Sequence, residues 1–166
     1  MKSNGTIVAA VCFAALAAFF TYQWWFNPTR AVQRRLNDIA AALSIPDPEP
    51  PVARVTRAAQ LRKYLAPDIR VRMGASEIAS RDQIVGAVSS FAAPPGGWNV
   101  QFVDVQIRVN HETGEDADAY MTVEMNGRDA QTGQPTVDAR EASVTLKKID
   151  GEWVVATAET KNTLEK

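Results

Sequence analysis

The sequence predicts an α+β protein in which three helices pack on a curved antiparallel sheet, set behind an N-terminal transmembrane helix. Three observations predict it: an uncharged run from Thr6 to Phe26, apolar residues at three- and four-residue spacing after it, and period-two alternation through the C-terminal part. With 166 residues, 46% of them apolar, the chain has room for one globular domain beyond the tether. A net charge of -1 provides no basic field for phosphates, so nucleic acid is not an expected partner. The single cysteine, Cys12, and the single histidine, His111, exclude an intrachain disulfide, a cysteine metal cluster and a two-histidine metal site.

The run from Thr6 to Phe26 is long enough to span, because about 20 helical residues cover the roughly 30 Å hydrocarbon core. Tyr22, Trp24 and Trp25 mark one interface, and Asn27-Pro28 breaks the helix. A signal peptide cleaved near Ala15-Leu16-Ala17 is the alternative, but apolar and aromatic residues continue well past that point, which favours a retained anchor. Arg30, Arg34 and Arg35 after the helix point to a cytoplasmic domain, whereas a short N-terminal tail before a long folded domain is a signal-anchor layout. The expectation is a single pass through a bacterial-type inner membrane with the soluble domain periplasmic. Ala10, Ala14 and Ala18 line one helix face with small side chains, suited to close approach by a helix of another integral membrane protein.

Val32, Leu36, Ile39 and Leu43 then predict an amphipathic juxtamembrane helix over Thr29 to Ser44, and Ile45 to Pro51 a stiff, proline-rich connector, together residues 29–51. The folded domain is assigned to residues 52–166. Its first helix places Val52, Val55, Leu61 and Leu65 inward and ends before Pro67. Ile69, Val71 and Met73 alternate with Arg70 and Arg72 as a strand, closed by a turn at Gly74-Ala75-Ser76. Ser80-Arg81-Asp82-Gln83 is a capping box that opens a helix carrying Ile84, Val88 and Phe91. Four strands follow, with inward sets Val103, Val105, Ile107, Val109; Ala119, Met121, Val123, Met125; Ala142, Val144, Leu146; and Val154, Ala156, Ala158. Turns fall at Glu112 to Glu115, in the stretch from Asn126-Gly127 to Pro135, and at Asp150-Gly151.

Tyr64-Leu65-Ala66-Pro67-Asp68-Ile69, Ser80 to Ile84, and Lys148-Ile149-Asp150-Gly151-Glu152-Trp153 carry a resemblance to the nuclear transport factor 2-like superfamily, which includes SnoaL-like proteins and ketosteroid isomerases. It covers about Val52 to Glu159. The resemblance implies a cone-like domain whose open end serves as ligand pocket, active site or docking surface. In ketosteroid isomerases a general-base carboxylate stands near the end of the first strand. The matching place here is about Met73, which cannot take a proton, and the oxyanion donors have no convincing counterparts despite Tyr64 and Tyr120.

No catalytic, cofactor-binding or metal-binding residue is therefore assigned. His111, beside Glu112 in a turn, reads as solvated, as do Asp116 and Asp118, which lack the spacing of a calcium loop. Trp98 and Trp153 read as core or rim aromatics, and Arg70 and Arg72 as surface charges. Asp104 and Glu124 are where an enzyme reading would begin, and Met73, Phe91, Trp98 and Tyr120 would line a pocket. The functional expectation is a non-enzymatic membrane accessory or assembly subunit that docks on partner proteins of a larger complex. The alternatives are a tethered small-ligand binder and a SnoaL-like enzyme.

Overall fold

The structure, a computed structural model, describes residues 12–17, 27–91, 96–129 and 131–161. Residues 12–17 are helical and exposed. The rest of the Thr6 to Phe26 run, with Ala10 and Ala18, lies outside the described residues. Among the described residues no helix is long and apolar enough to cross a membrane.

Helix α1 (Pro28–Leu43) begins where Asn27 accepts a hydrogen bond from the Thr29 amide at 3.0 Å, with Pro28 at its first position. At its other end the Ser44 hydroxyl donates to Ala40 O and accepts from the Val100 amide, both at 2.9 Å, tying the helix end to a strand. Val32, Leu36 and Ile39 are buried in the main core. The helix expected to run close to the membrane thus packs its apolar stripe into the core of the domain. Ile45 forms an antiparallel bridge with Trp98, its amide and carbonyl each 2.7 Å from Trp98 main-chain atoms, so the connector is pinned.

Helix α2 (Pro51–Tyr64) departs from its expected inner face: Leu61 is buried, but Val52 and Val55 are exposed at 76% and 71%. Arg57 takes the buried position instead, because Glu49 supplies its countercharge at 3.0 Å and Val88 O a further acceptor at 3.4 Å. Helix α3 (Arg81–Ser90) opens as the capping box predicts, with the Ser80 hydroxyl accepting from the Gln83 amide.

The strands are β1 (Leu65–Met73), β2 (Ser76–Ile78), β3 (Asn99–Val109), β4 (Asp116–Arg128), β5 (Pro135–Ile149) and β6 (Glu152–Lys161). They form one six-stranded sheet in the order β2-β1-β6-β5-β4-β3. The sheet is mixed, not antiparallel throughout, because β1 runs parallel to β6. Short turns fix β3 to β6 as antiparallel neighbours, but β1 reaches β6 only after an excursion through β2, α3 and three further strands, and no turn dictates that pairing.

Two bulges change which side chains face the helices. In β3 the register shifts between Val103 and Gln106, where Asp104 has φ 53. Phe102, Val105, Ile107 and Val109 therefore reach the core, and Val103 does not. In β6 the shift beside Thr145/Leu146 puts Trp153, Val155 and Ala158 on the core side, whereas Val154 and Ala156 pack with Ala66 in a second cluster. The single inward set expected for β6 is thus split between two faces. Within the stretch expected to turn, from Asn126-Gly127 to Pro135, β4 continues to Arg128 and the chain reverses between Asp129 and Gln134. The missing side chain at Gly127 serves Trp98 instead, since a Cβ there would lie 3.1 Å from the indole ring.

Candidate functional site

The three helices and the curved sheet leave a cavity of about 370 Å3 between them. Leu36 and Leu61 from the helices close its narrow end against Ile69, Val155 and Met121 of the sheet. Phe102 enters from β3, because the bulge at Asp104 turns it inward. The wide end lies between the end of β1 and α3, where Met73 is 50% exposed and Ala87 is exposed. Ile84 and Val88 of α3 are only half-buried because they border this space. Of the described lining residues, Thr160 alone has a polar side-chain atom, and no polar surface faces the cavity.

Such a wall can do limited chemistry. Among the described residues it presents no acid, base or nucleophile, and Met73 stands at the strand end where the resemblance puts a carboxylate. It can exclude water and accept apolar surface, with selectivity set by shape and volume.

Of the four residues expected to line a pocket, Met73 does so. Phe91 and Trp98 pack edge to face at 6.1 Å elsewhere, and Tyr120 is half-exposed on the outer side of the sheet, in a shallow hollow with Asp104, Gln106 and Glu141. Asp104 is exposed in that hollow and Glu124 is partly buried; neither lines the cavity. His111 and Glu112 are exposed in the β3–β4 turn. Asp118 accepts a hydrogen bond from the Thr145 hydroxyl at 3.0 Å, and Asp116 one from Thr113 at 3.5 Å, so both carboxylates serve the hairpin. Among the described residues no three His, Cys, Asp or Glu side chains come together as a metal cluster would require. Trp153 is core, Arg72 pairs with Glu77 at 3.2 Å, and Arg70 is exposed. Phe102, Leu43, Ile78 and Thr160 also line the cavity, although nothing in the sequence marks them for it. Phe102 was concealed by the bulge, since strict alternation from Val103 assigns it to the other face.

Helices over a curved mixed sheet with a cavity between them define the nuclear transport factor 2-like fold. No family profile and no curated protein sequence matches this chain. Solved structures do match. A nuclear transport factor 2-like protein with a cystatin-like fold from Novosphingobium aromaticivorans superposes with a TM-score of 0.65 at 11% identity, covering 100% of this chain and 94% of that one. A scytalone dehydratase-like protein from the same organism gives 0.62 at 16%, covering 81% and 83%. A ketosteroid isomerase-like protein from Shewanella frigidimarina gives 0.57 at 16%, covering 79% and 94%. At these identities the likeness establishes the fold alone.

Proposed function

We propose that this chain is a non-enzymatic binding module, tethered to a membrane through Thr6 to Phe26, whose cone holds a small apolar guest. The observation that carries this reading is the cavity wall, apolar at every lining side chain except Thr160. At about 370 Å3 the cavity lies near the low end of the roughly 300–1,000 Å3 span of ligand pockets, so the guest is one ring system or a short acyl chain. Burial of apolar surface drives its entry, and the wall presents no polar surface to it, so shape and volume set what fits.

The accessory-subunit reading keeps an observation of its own. Val52 and Val55, three residues apart on α2, expose a small apolar patch that a partner protein would cover, and Ala10, Ala14 and Ala18 would receive a partner helix. The two readings are compatible.

The test is photolabelling of the full chain in native membranes with a diazirine-bearing alkane. Labels are expected on Ile84, Val88 and Phe102 and are lost in Ala158→Phe, which fills the cavity. Equal labelling in both proteins would reject the cone as the binding site. Alkaline washing of the same membranes tests the tether, which predicts that the chain stays with the lipid.

A further inference from the structure

We propose that the end of the domain where α1 begins is a docking face for the anionic headgroups of the bilayer, gripping lipid phosphates with Arg34, Lys63, Arg81 and Lys148. The inference rests on the membrane tether proposed above. Two clefts of about 430 and 460 Å3 meet at this end and share Arg35 and Glu152. The first lies between the start of α1 and the β5–β6 turn, with Pro28, Arg34 and Lys148 on its walls. The second lies between the last turn of α2, the first turn of α3 and the same β turn, with Lys63 and Arg81 on its walls.

Charge sets this face apart. The two clefts carry six cationic side chains (Arg34, Arg35, Arg62, Lys63, Arg81, Lys148) against three lining carboxylates (Asp38, Asp150, Glu152) and Asp82 beside Arg62, a surplus of two on a chain whose net charge is -1. Arg35 is already paired with Glu152, and Arg62 with Asp82 at 2.9 Å. The four gripping residues make no ion pair among the described residues. Arg81 adds an independent sign: its Nε is buried with no hydrogen-bond partner, so the guanidinium on the wall of the second cleft is not held by any protein acceptor at that atom. Position supplies the occupant. Pro28 lies on the wall of the first cleft, two residues beyond Phe26, the end of the uncharged run. A chain leaving the bilayer near Phe26 starts α1 at the first cleft and so holds this face close to the headgroups, where each near-surface cation strengthens binding by a factor of about 5.

The full chain, incorporated in nanodiscs of phosphatidylcholine alone or mixed with phosphatidylglycerol, is treated with an amine-acetylating reagent and mapped by mass spectrometry. Acetylation of Lys63 and Lys148 is expected to fall by about fivefold or more in the anionic discs, with protection lost at high salt. Lys147, exposed but outside both clefts, is expected to label equally in the two. In the double variant Arg34→Glu, Lys148→Glu the protection of Lys63 should disappear. Equal labelling of Lys63 and Lys148 in both lipids, by a chain that stays in the disc, would overturn the docking face while leaving the tether intact. A chain that fails to enter the disc would remove both.

Discussion

Glu49→Gln is expected to destabilise the domain by about 3 kcal/mol, because it leaves the Arg57 guanidinium buried without its countercharge. The side chains of Glu49 and Arg57 are 6% and 7% exposed, and they meet at 3.0 Å, with a second contact at 3.5 Å. Removing one partner of a buried pair costs about 3–5 kcal/mol. The lower figure applies because Arg54, 46% exposed, also reaches Glu49, so water lies close to one side of the pair. With a urea dependence of about 1.5 kcal/mol per molar, the midpoint should fall by about 2 M. Far-UV circular dichroism of the full chain in a non-ionic detergent reads this directly.

The pH dependence gives a second check on the same pair. Burial pushes the Glu49 carboxyl upward, but the hydrogen bond and charge of Arg57, and then those of Arg54, outweigh it and hold the group below its ordinary 4.5. A folded value below the unfolded one means that the stabilisation is fully present above 4.5 and is lost as pH falls below it. The gap between wild type and variant should therefore narrow in acid. A midpoint shift below about 0.3 M at neutral pH, or a gap that stays constant in acid, would mean that Glu49 does not neutralise a buried Arg57.

Three further outcomes are expected. Leu36→Ala, at a position 1% exposed, should cost about 3 kcal/mol by the same unfolding assay, and a loss under about 0.5 kcal/mol would mean that α1 is not part of the core. Gly97→Ala should cost about 1–3 kcal/mol and speed amide exchange at Ile45 and Trp98, since Gly97 has φ +82 and its Cβ would lie 2.7 Å from Ile45 O. The Asp129 carboxylate accepts from the Thr132 amide at 2.7 Å, the Thr132 hydroxyl and the Gln131 amide, which hold it below its usual range. The Thr132 amide proton resonance should thus titrate at a pH below 3.8, and Asp129→Ala should abolish that titration.

Much of the architecture is legible in the sequence. Asn27-Pro28, Ser80 with Gln83, and Asp150-Gly151 each name a helix start or a turn, because capping and left-handed backbone are local chemistry. What covers a face is not local. The stripe of Val32, Leu36 and Ile39 shows an amphipathic helix but not whether a bilayer or a sheet buries it. The parallel β1–β6 pair joins segments that no turn connects, and periodicity is silent about it. The candidate cavity was the least legible part. Bulges in β3 and β6 reset the alternation, moving Phe102 inward and splitting Val154 and Ala156 from Ala158, while Tyr120 and Trp98 qualified only as large aromatics near strands.

For an apolar guest in the cone, as proposed above, the chain carries its own reporters. Met73 and Met121 line the cavity, whereas Met125, on the same strand as Met121, does not. The decisive measurement is methyl NMR of the full chain, labelled with 13C at the methionine methyl groups, in nanodiscs titrated with N-phenyl-1-naphthylamine. Saturable shifts of Met73 and Met121 are expected with Met125 stationary, and both shifts should shrink in Ala158→Phe. Unmoved Met73 and Met121 signals, or shifts as large at Met125, would contradict an apolar guest in the cone.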